Sequence, residues 1–247
     1  MTTTSRARSF DRAAALYAAN RPSYPAGLLD AVEELSGRPL AGARIADVGA
    51  GTGILTALLR ARGARVVAVE PGAGMAAEFR RALPDVPLVH GDGDRLPLAA
   101  ASVDLVTYAQ AWHWTDPDRS VPEALRVLRP GGALAVLRND SDESVPWIAD
   151  QADRLRRSLG IDEDTAREER VRSLPSGPDF AVRRVRWSRR VPLETHLANL
   201  ASQSHLLVLG RERAAAVLDE ERERLARLFP DGTVEEAYVA AASVTVR

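Results

Sequence analysis

Three acidic side chains and a run of glycines are spaced for ligand chemistry. Asp47-Val48-Gly49-Ala50-Gly51-Thr52-Gly53 sets three alternating glycines between an apolar segment and a helical one. Without Cβ atoms such a backbone turns sharply and passes close to a ligand. The spacing is G-x-G-x-G. A dinucleotide fingerprint needs glycine where Ile54 stands, and a P-loop needs a lysine, which the chain lacks. Asp47, just ahead of the first glycine, would repel a pyrophosphate but suits a ligand bearing an ammonium group and hydroxyls. Glu70, followed by Pro71-Gly72, can accept paired hydrogen bonds from two ribose hydroxyls. Asp92, within Gly91-Asp92-Gly93, can accept from an adenine amino group. Each acid alone also fits a helix cap or a turn.

Other chemistries fail on composition or spacing. The 247 residues contain no cysteine and no lysine, which excludes disulfides, thiolate metal sites, cysteine nucleophiles and Schiff-base chemistry. Thirty-three basic residues balance 34 acidic ones, so bulk charge gives no reason for a nucleic-acid or membrane-surface partner. His90, His113, His196 and His205 lack metal-ligand spacing, and no G-x-S-x-G elbow exists. Arg183-Arg184-Val185-Arg186-Trp187 alternates like the wet face of a strand. The N-terminus has no signal-peptide core, and no stretch approaches the roughly 20 apolar residues of a membrane span. A cytoplasmic protein with no metal is expected.

Periodicity supplies the elements that must hold these acids. Strands are predicted at residues 44–48, 65–70, 86–90, 103–108, 133–138, 181–191 and 238–246. Helices are predicted at residues 10–19, 26–36, 54–62, 74–83, 121–128, 147–159, 194–209 and 212–229. Leu28, Leu29, Val32 and Leu35 mark the core face of the second helix, and Gly37 ends it. In the last helix Val217, Leu218, Leu225 and Leu228 form the apolar stripe, with residues 219–224 as the solvated face. Apolar strands alternating with helices imply a doubly wound, mostly parallel α/β sheet, whose ligands bind beyond the strands' carboxyl ends.

With these motifs in place, the chain resembles the class I S-adenosylmethionine-dependent methyltransferases. Within them it is similar to the type 11, trans-aconitate methyltransferase-like proteins. Four segments carry the resemblance: DVGAGTG, VVAVEPGAGM, HGDGDRLPLAAASVDLV and RVLRPGGALAV. The lead-in Arg21-Pro22-Ser23-Tyr24-Pro25 and the block Ala109-Gln110-Ala111-Trp112-His113-Trp114 extend it. It implies a Rossmann-like seven-stranded sheet with the last strand antiparallel, in one domain. The cofactor-binding core would span residues 38–140, with cap segments at 1–30 and 192–230 over the active site.

The resemblance also implies residue roles around S-adenosyl-L-methionine. Gly49, Ala50 and Gly51, with Thr52, would lie against its methionine and ribose parts. Asp47 would hold the amino group, directly or through water, and Glu70 the ribose. Pro71 and Met75 would lie against the adenine, whose edge Asp92 and Gly93 would read. Ala109 and Gln110 would line the sulfonium side, and Tyr17 and Arg21 would reach over from the N-terminal cap.

Methyl transfer is an in-line displacement at a carbon that positive sulfur already activates. The protein's main contribution is placing the acceptor, which can supply roughly 7–11 kcal/mol. His113 is the candidate base, because an imidazole is mostly neutral near pH ~7; the alternative is a packed wall residue between two tryptophans. The implied reaction methylates a small-molecule acceptor and leaves S-adenosyl-L-homocysteine. Two rivals keep the fold: a non-methyl reaction such as a cyclisation, and a non-catalytic binding protein.

Overall fold

A computed structural model describes residues 18–162 and 179–247. The predicted helix at residues 10–19 therefore falls mostly outside the described residues, of which 18–20 are helical. By internal packing the described chain forms two compact units. A sheet unit comprises residues 23–139, 179–185 and 240–247, and a helical unit comprises residues 18–22, 140–162 and 186–239.

The elements in chain order are α1 (Ala26–Ser36), β1 (Arg44–Val48), α2 (Ile54–Ala61), β2 (Arg65–Glu70), α3 (Ala73–Ala82), β3 (Leu88–His90) and β4 (Val103–Ala109). Then follow α4 (Pro117–Val127), β5 (Leu128–Ser141), α5 (Pro146–Leu159), β6 (Ala181–Pro192), α6 (Leu193–Ala201), α7 (Ser204–Val208), α8 (Arg211–Leu228) and β7 (Thr233–Val246). The strands form one seven-stranded sheet in the order β3-β2-β1-β4-β5-β7-β6. β1, β2, β3, β4 and β5 pair in parallel. β7 is antiparallel: Arg247 N, just beyond its end, donates to Gly132 O near the start of β5 at 2.8 Å. The expected mostly parallel, Rossmann-like sheet is present.

β1 is buried from Ile45 to Val48, as a parallel strand covered on both faces must be. β2, β4 and β5 contribute Val69, Val106, Tyr108, Leu134 and Val136 to one apolar cluster. Three expectations are corrected. β5 starts five residues early, because Arg129-Pro130-Gly131-Gly132, read as a turn, forms a bulge between the pairs Val103↔Leu128 and Leu105↔Ala133. A Cβ on Gly132 would come within 2.9 Å of Arg129 O and 3.0 Å of Asp104 O, so only glycine lets β5 pass there. The predicted helix at residues 194–209 is two helices, broken where Gln203 is extended and Ser202 Oγ donates to Asn199 O at 2.7 Å.

The third correction concerns α8. Glu221, placed by periodicity on the solvated face, is buried, whereas Leu228 of the proposed apolar stripe is 52% exposed. The rest of the stripe is as predicted: Leu225 joins Leu197, Leu200 and Leu206 in the helical unit's core, and Val217 and Leu218 pack against it. No described helix is long and apolar enough to cross a membrane.

Candidate active site

The strand register sets the site. Asp47 on β1 is aligned with Thr107 on β4, Val48 with Val69 on β2, and Glu70 at the end of β2 with His90 on β3. Asp47, Glu70 and Asp92 thus follow one another at the carboxyl ends of neighbouring strands, where an open α/β sheet binds its ligands.

Asp47 is 1% exposed, and accepts from Thr107 Oγ1 at 2.8 Å and Thr56 Oγ1 at 2.5 Å. Burial pushes its carboxyl up to about 6, against these two hydroxyl bonds. Sequence reading missed both threonines. The one available signal was Thr107 itself, a hydroxyl inside the otherwise apolar LVTYA stretch of β4.

Beyond Val48 the chain turns through Gly49, Gly51 and Gly53, all at positive φ. Gly49 and Ala50 N–H donate to Val69 O at 2.8 and 3.2 Å. Two of the three glycines are also needed for packing. A Cβ on Gly49 would lie 2.4 Å from the Ala111 Cβ, and one on Gly53 would lie 2.7 Å from Leu83 Cδ1. A Cβ on Gly51 would meet nothing closer than Gly49 O at 4.0 Å, so this glycine presents backbone to open space. Next to it the Thr52 hydroxyl is buried with no protein partner.

Glu70 braces the turn. Its buried carboxylate accepts from Gly51 N at 2.8 Å and from Gly72 N at 2.7 Å. Each carboxylate oxygen thus holds one backbone amide of the turn. Met75 on α3 is buried and Pro71 exposed.

Asp92 is exposed, and its Oδ1 accepts from Asp94 N at 3.0 Å and Arg95 N at 3.1 Å, the turn role that such a residue also allows. Gly93 is held against the loop after β4: a Cβ there would lie 2.8 Å from both Thr115 Cγ2 and Tyr108 Cε1. Asp94 Oδ1 accepts from Asp116 N in that same loop at 2.9 Å.

The loop after β4 carries the remaining candidates. Gln110 is a non-glycine residue at positive φ, and its Nε2 donates to Asn139 O at 2.8 Å. Such a conformation costs of order 1–3 kcal/mol and clusters at functional sites. His113, half-buried, lies in the short 3-10 turn Trp112–Trp114, its ring 4.5 Å from that of Trp114. Trp112 is core, edge-on to Tyr108 at 5.1 Å, with its indole N–H buried and unpartnered. Tyr17 lies outside the described residues, and Arg21 belongs to the helical unit, where its Nη2 donates to Ser202 O at 3.4 Å. The sheet unit thus assembles every other predicted site residue along its carboxyl edge. Among the described residues no group of three or more His, Asp or Glu could hold a metal.

Residues 46–136 match the family model Methyltransf_11, a methyltransferase domain. An uncharacterized methyltransferase of Mycobacterium tuberculosis is 39% identical over 220 residues, 88% of this chain and 86% of that protein. The demethylmenaquinone methyltransferase of Beutenbergia cavernae is 39% identical over 119 residues, 48% of this chain and 49% of that one. A solved structure from Anaeromyxobacter dehalogenans, assigned provisionally as a type II methyltransferase, superposes with a TM-score of 0.68 at 27% identity, covering 92% of this chain and 97% of that one. A Haemonchus contortus phosphoethanolamine N-methyltransferase, solved with S-adenosylhomocysteine, shares the fold at a TM-score of 0.52 and 15% identity, over 98% of this chain and 59% of that one. With the glycine turn, the strand-end acids and a relative alike over most of its length, the chain belongs to the class I S-adenosylmethionine-dependent methyltransferases.

Proposed function

We propose that the chain methylates a small-molecule acceptor, with S-adenosyl-L-methionine bound along the carboxyl edge of its sheet unit. The observation that carries this reading is Asp47, a dry carboxylate whose protein partners are two hydroxyls and no cation. The residues around it fit the cofactor: the Thr52 hydroxyl lacks a protein partner, and the Gly51 backbone borders open space.

When bound, the cofactor supplies a methyl group on positively charged sulfur. Asp47 attracts the ligand's ammonium group, directly or through water, in a medium where charge attraction is strong. Gly49, Ala50 and Gly51 let methionine and ribose approach the backbone, and Thr52 supplies a hydroxyl. Glu70, already fixed by two amides, accepts from the ribose hydroxyls. Met75 and Pro71 flank the adenine, and Asp92 and Gly93 read its edge. Ala109 and Gln110 border the sulfur. These positions form the cofactor-binding core of one methyltransferase domain. His113 stands at the acceptor side as the proton acceptor.

Calorimetric titration with the cofactor and with its demethylated product tests the reading; heat from neither ends it. Glu70→Ala is expected to weaken cofactor binding by about 1–3 kcal/mol, since hydrogen bonds to a charged group are lost. Unchanged affinity would place the ribose elsewhere. His113→Asn is expected to lower kcat by ~10²–10⁴-fold and to remove the acid limb of the rate profile. A change confined to KM would make His113 a wall residue.

A further inference from the structure

The sheet unit has a hollow at the amino ends of its parallel strands, on the opposite edge from Asp47 and Glu70. Its origin lies in the connections. β1 to β2, β2 to β3 and β4 to β5 are each joined through a helix, namely α2, α3 and α4. The crossover from β3 to β4, residues 91–102, contains none. It runs back along the strand order, so right-handed connection puts it on the face opposite α2 and α3. A loop covers less of a sheet than a helix does, and that face stays partly open over β1 and β2.

The resulting cavity measures about 660 Å³, within the ~300–1,000 Å³ of small-molecule sites. Its apolar lining includes Val67, Pro87, Leu98 and Val103. Val67 and Leu98 pack on the sheet's core cluster yet remain half-buried.

The rim is cationic. Arg44 and Arg65 are register partners at the first positions of β1 and β2, so they share a face of the sheet. Val67, two positions beyond Arg65, lies on the same face. Arg60 adds a third guanidinium from the last turn of α2, where a cation also complements the helix's electronegative end. Among the described residues none of these three side chains has an ion pair or hydrogen bond.

The neighbouring acids do not balance them. Asp85 is the one carboxylate lining the cavity, and it forms no ion pair with the three arginines. Asp104 Oδ2 accepts from the Arg44 backbone N–H at 2.8 Å, but its Oδ1 already faces Arg129 at 3.2 Å and Arg38 at 3.6 Å. Asp30 and Glu33 are matched by Arg62. The lining thus sets three positive charges against one negative, and two of the positive ones stand side by side, a pairing that like charges disfavour.

We propose that this cavity binds a small organic anion. Its carboxylate, sulfonate or phosphate head is held between Arg44 and Arg65, and its apolar body lies against Val67, Leu98 and Val103. Guanidinium groups grip such heads through parallel, charge-assisted hydrogen bonds. The site is independent of methyl transfer, whose cofactor is proposed for the opposite edge of the sheet.

Two fluorescent probes test the site: anilinonaphthalene sulfonate and its neutral counterpart phenylnaphthylamine, which lacks the sulfonate. Titrated into the whole chain, the sulfonate is expected to bind at least tenfold more tightly, and equal affinities overturn the proposal. Amide NMR spectra of the labelled chain are expected to shift with the sulfonate at residues 44–45, 65–67 and 97–103. Binding that leaves these amides unmoved overturns it. The double variant Arg44→Gln, Arg65→Gln is expected to lose about tenfold in affinity for the sulfonate while phenylnaphthylamine binding and the melting temperature hold. Undiminished sulfonate binding would remove the arginines from the site. Excess S-adenosyl-L-homocysteine is expected to leave the sulfonate bound; its displacement would put the probe at the carboxyl edge and overturn the proposal.

Discussion

Asp47 and Glu236 are two carboxylates almost equally closed to solvent, 1% and 2% exposed, one in each unit, and their proton affinities move in opposite directions. Asp47 meets two neutral hydroxyls and is pushed up to about 6. Glu236 meets an arginine and a histidine as well as a tyrosine, and is pulled down to about 2. Burial alone raises both, and a cationic partner reverses the outcome in one. The contrast separates structure from function. Glu236 has its countercharge built in and serves cohesion, whereas Asp47 lacks one, which suits a cationic ligand that arrives from outside.

The largest expected effect strikes the cohesive side. Glu236→Ala strands Arg189 and His196 beside a dry void and is expected to cost about 3–5 kcal/mol in denaturant unfolding. A loss below about 1 kcal/mol would make the cluster a passive packing feature.

Asp47→Asn should behave in the opposite way. Its folded carboxyl, near 6, binds protons more tightly than the ordinary 3.8, so ionisation at pH ~7 works against folding. Removing that charge is expected to stabilise the ligand-free protein by about 1–3 kcal/mol at pH ~7. The gain shrinks as pH falls below about 6, where the original carboxyl takes up its proton. Cofactor affinity is expected to drop at least tenfold in the same variant, as befits a lost charge–charge contact. Loss of ligand-free stability in Asp47→Asn would abolish the contrast with Glu236.

Two glycine variants sharpen it within the sheet unit. Gly49→Ala and Gly51→Ala share the strain of positive φ, but only the first drives a methyl against Ala111. Gly49→Ala is expected to be less stable than Gly51→Ala by about 1–3 kcal/mol in thermal unfolding. Gly51→Ala is expected to fail mainly in cofactor binding. The smallest effect belongs to an exposed arginine: Arg222→Ala loses its contacts to Glu194 at 3.0 and 3.2 Å and its bond to Asp219, and should stay within about 0.5 kcal/mol.

Local chemistry was legible without coordinates. β1 and β2 have the predicted bounds, because continuous apolar runs ended by glycine or proline leave little choice. The glycine turn, Asp47, Glu70 and Asp92 were visible as side chains at strand ends. α1 ends at Gly37, at φ 66°, as its sequence requires. Errors arose where a distant partner decides. The extra residues of β5 exist because Arg247, over a hundred positions later, pairs with Gly131 and Gly132. Glu221 looked solvated within a run of charges until Arg154 and Gln151 were brought to it from α5.

Residue order by itself determined where the backbone could bend, which stretches were apolar enough to be buried strands, and which acids stood at their tips. These are properties of neighbours along the chain. Tertiary structure alone decided what those acids are electrically. Proton affinity depends on which donors and charges stand within a few ångströms, and Thr107, His196 and Arg189 reach Asp47 and Glu236 only through sheet register and helix packing.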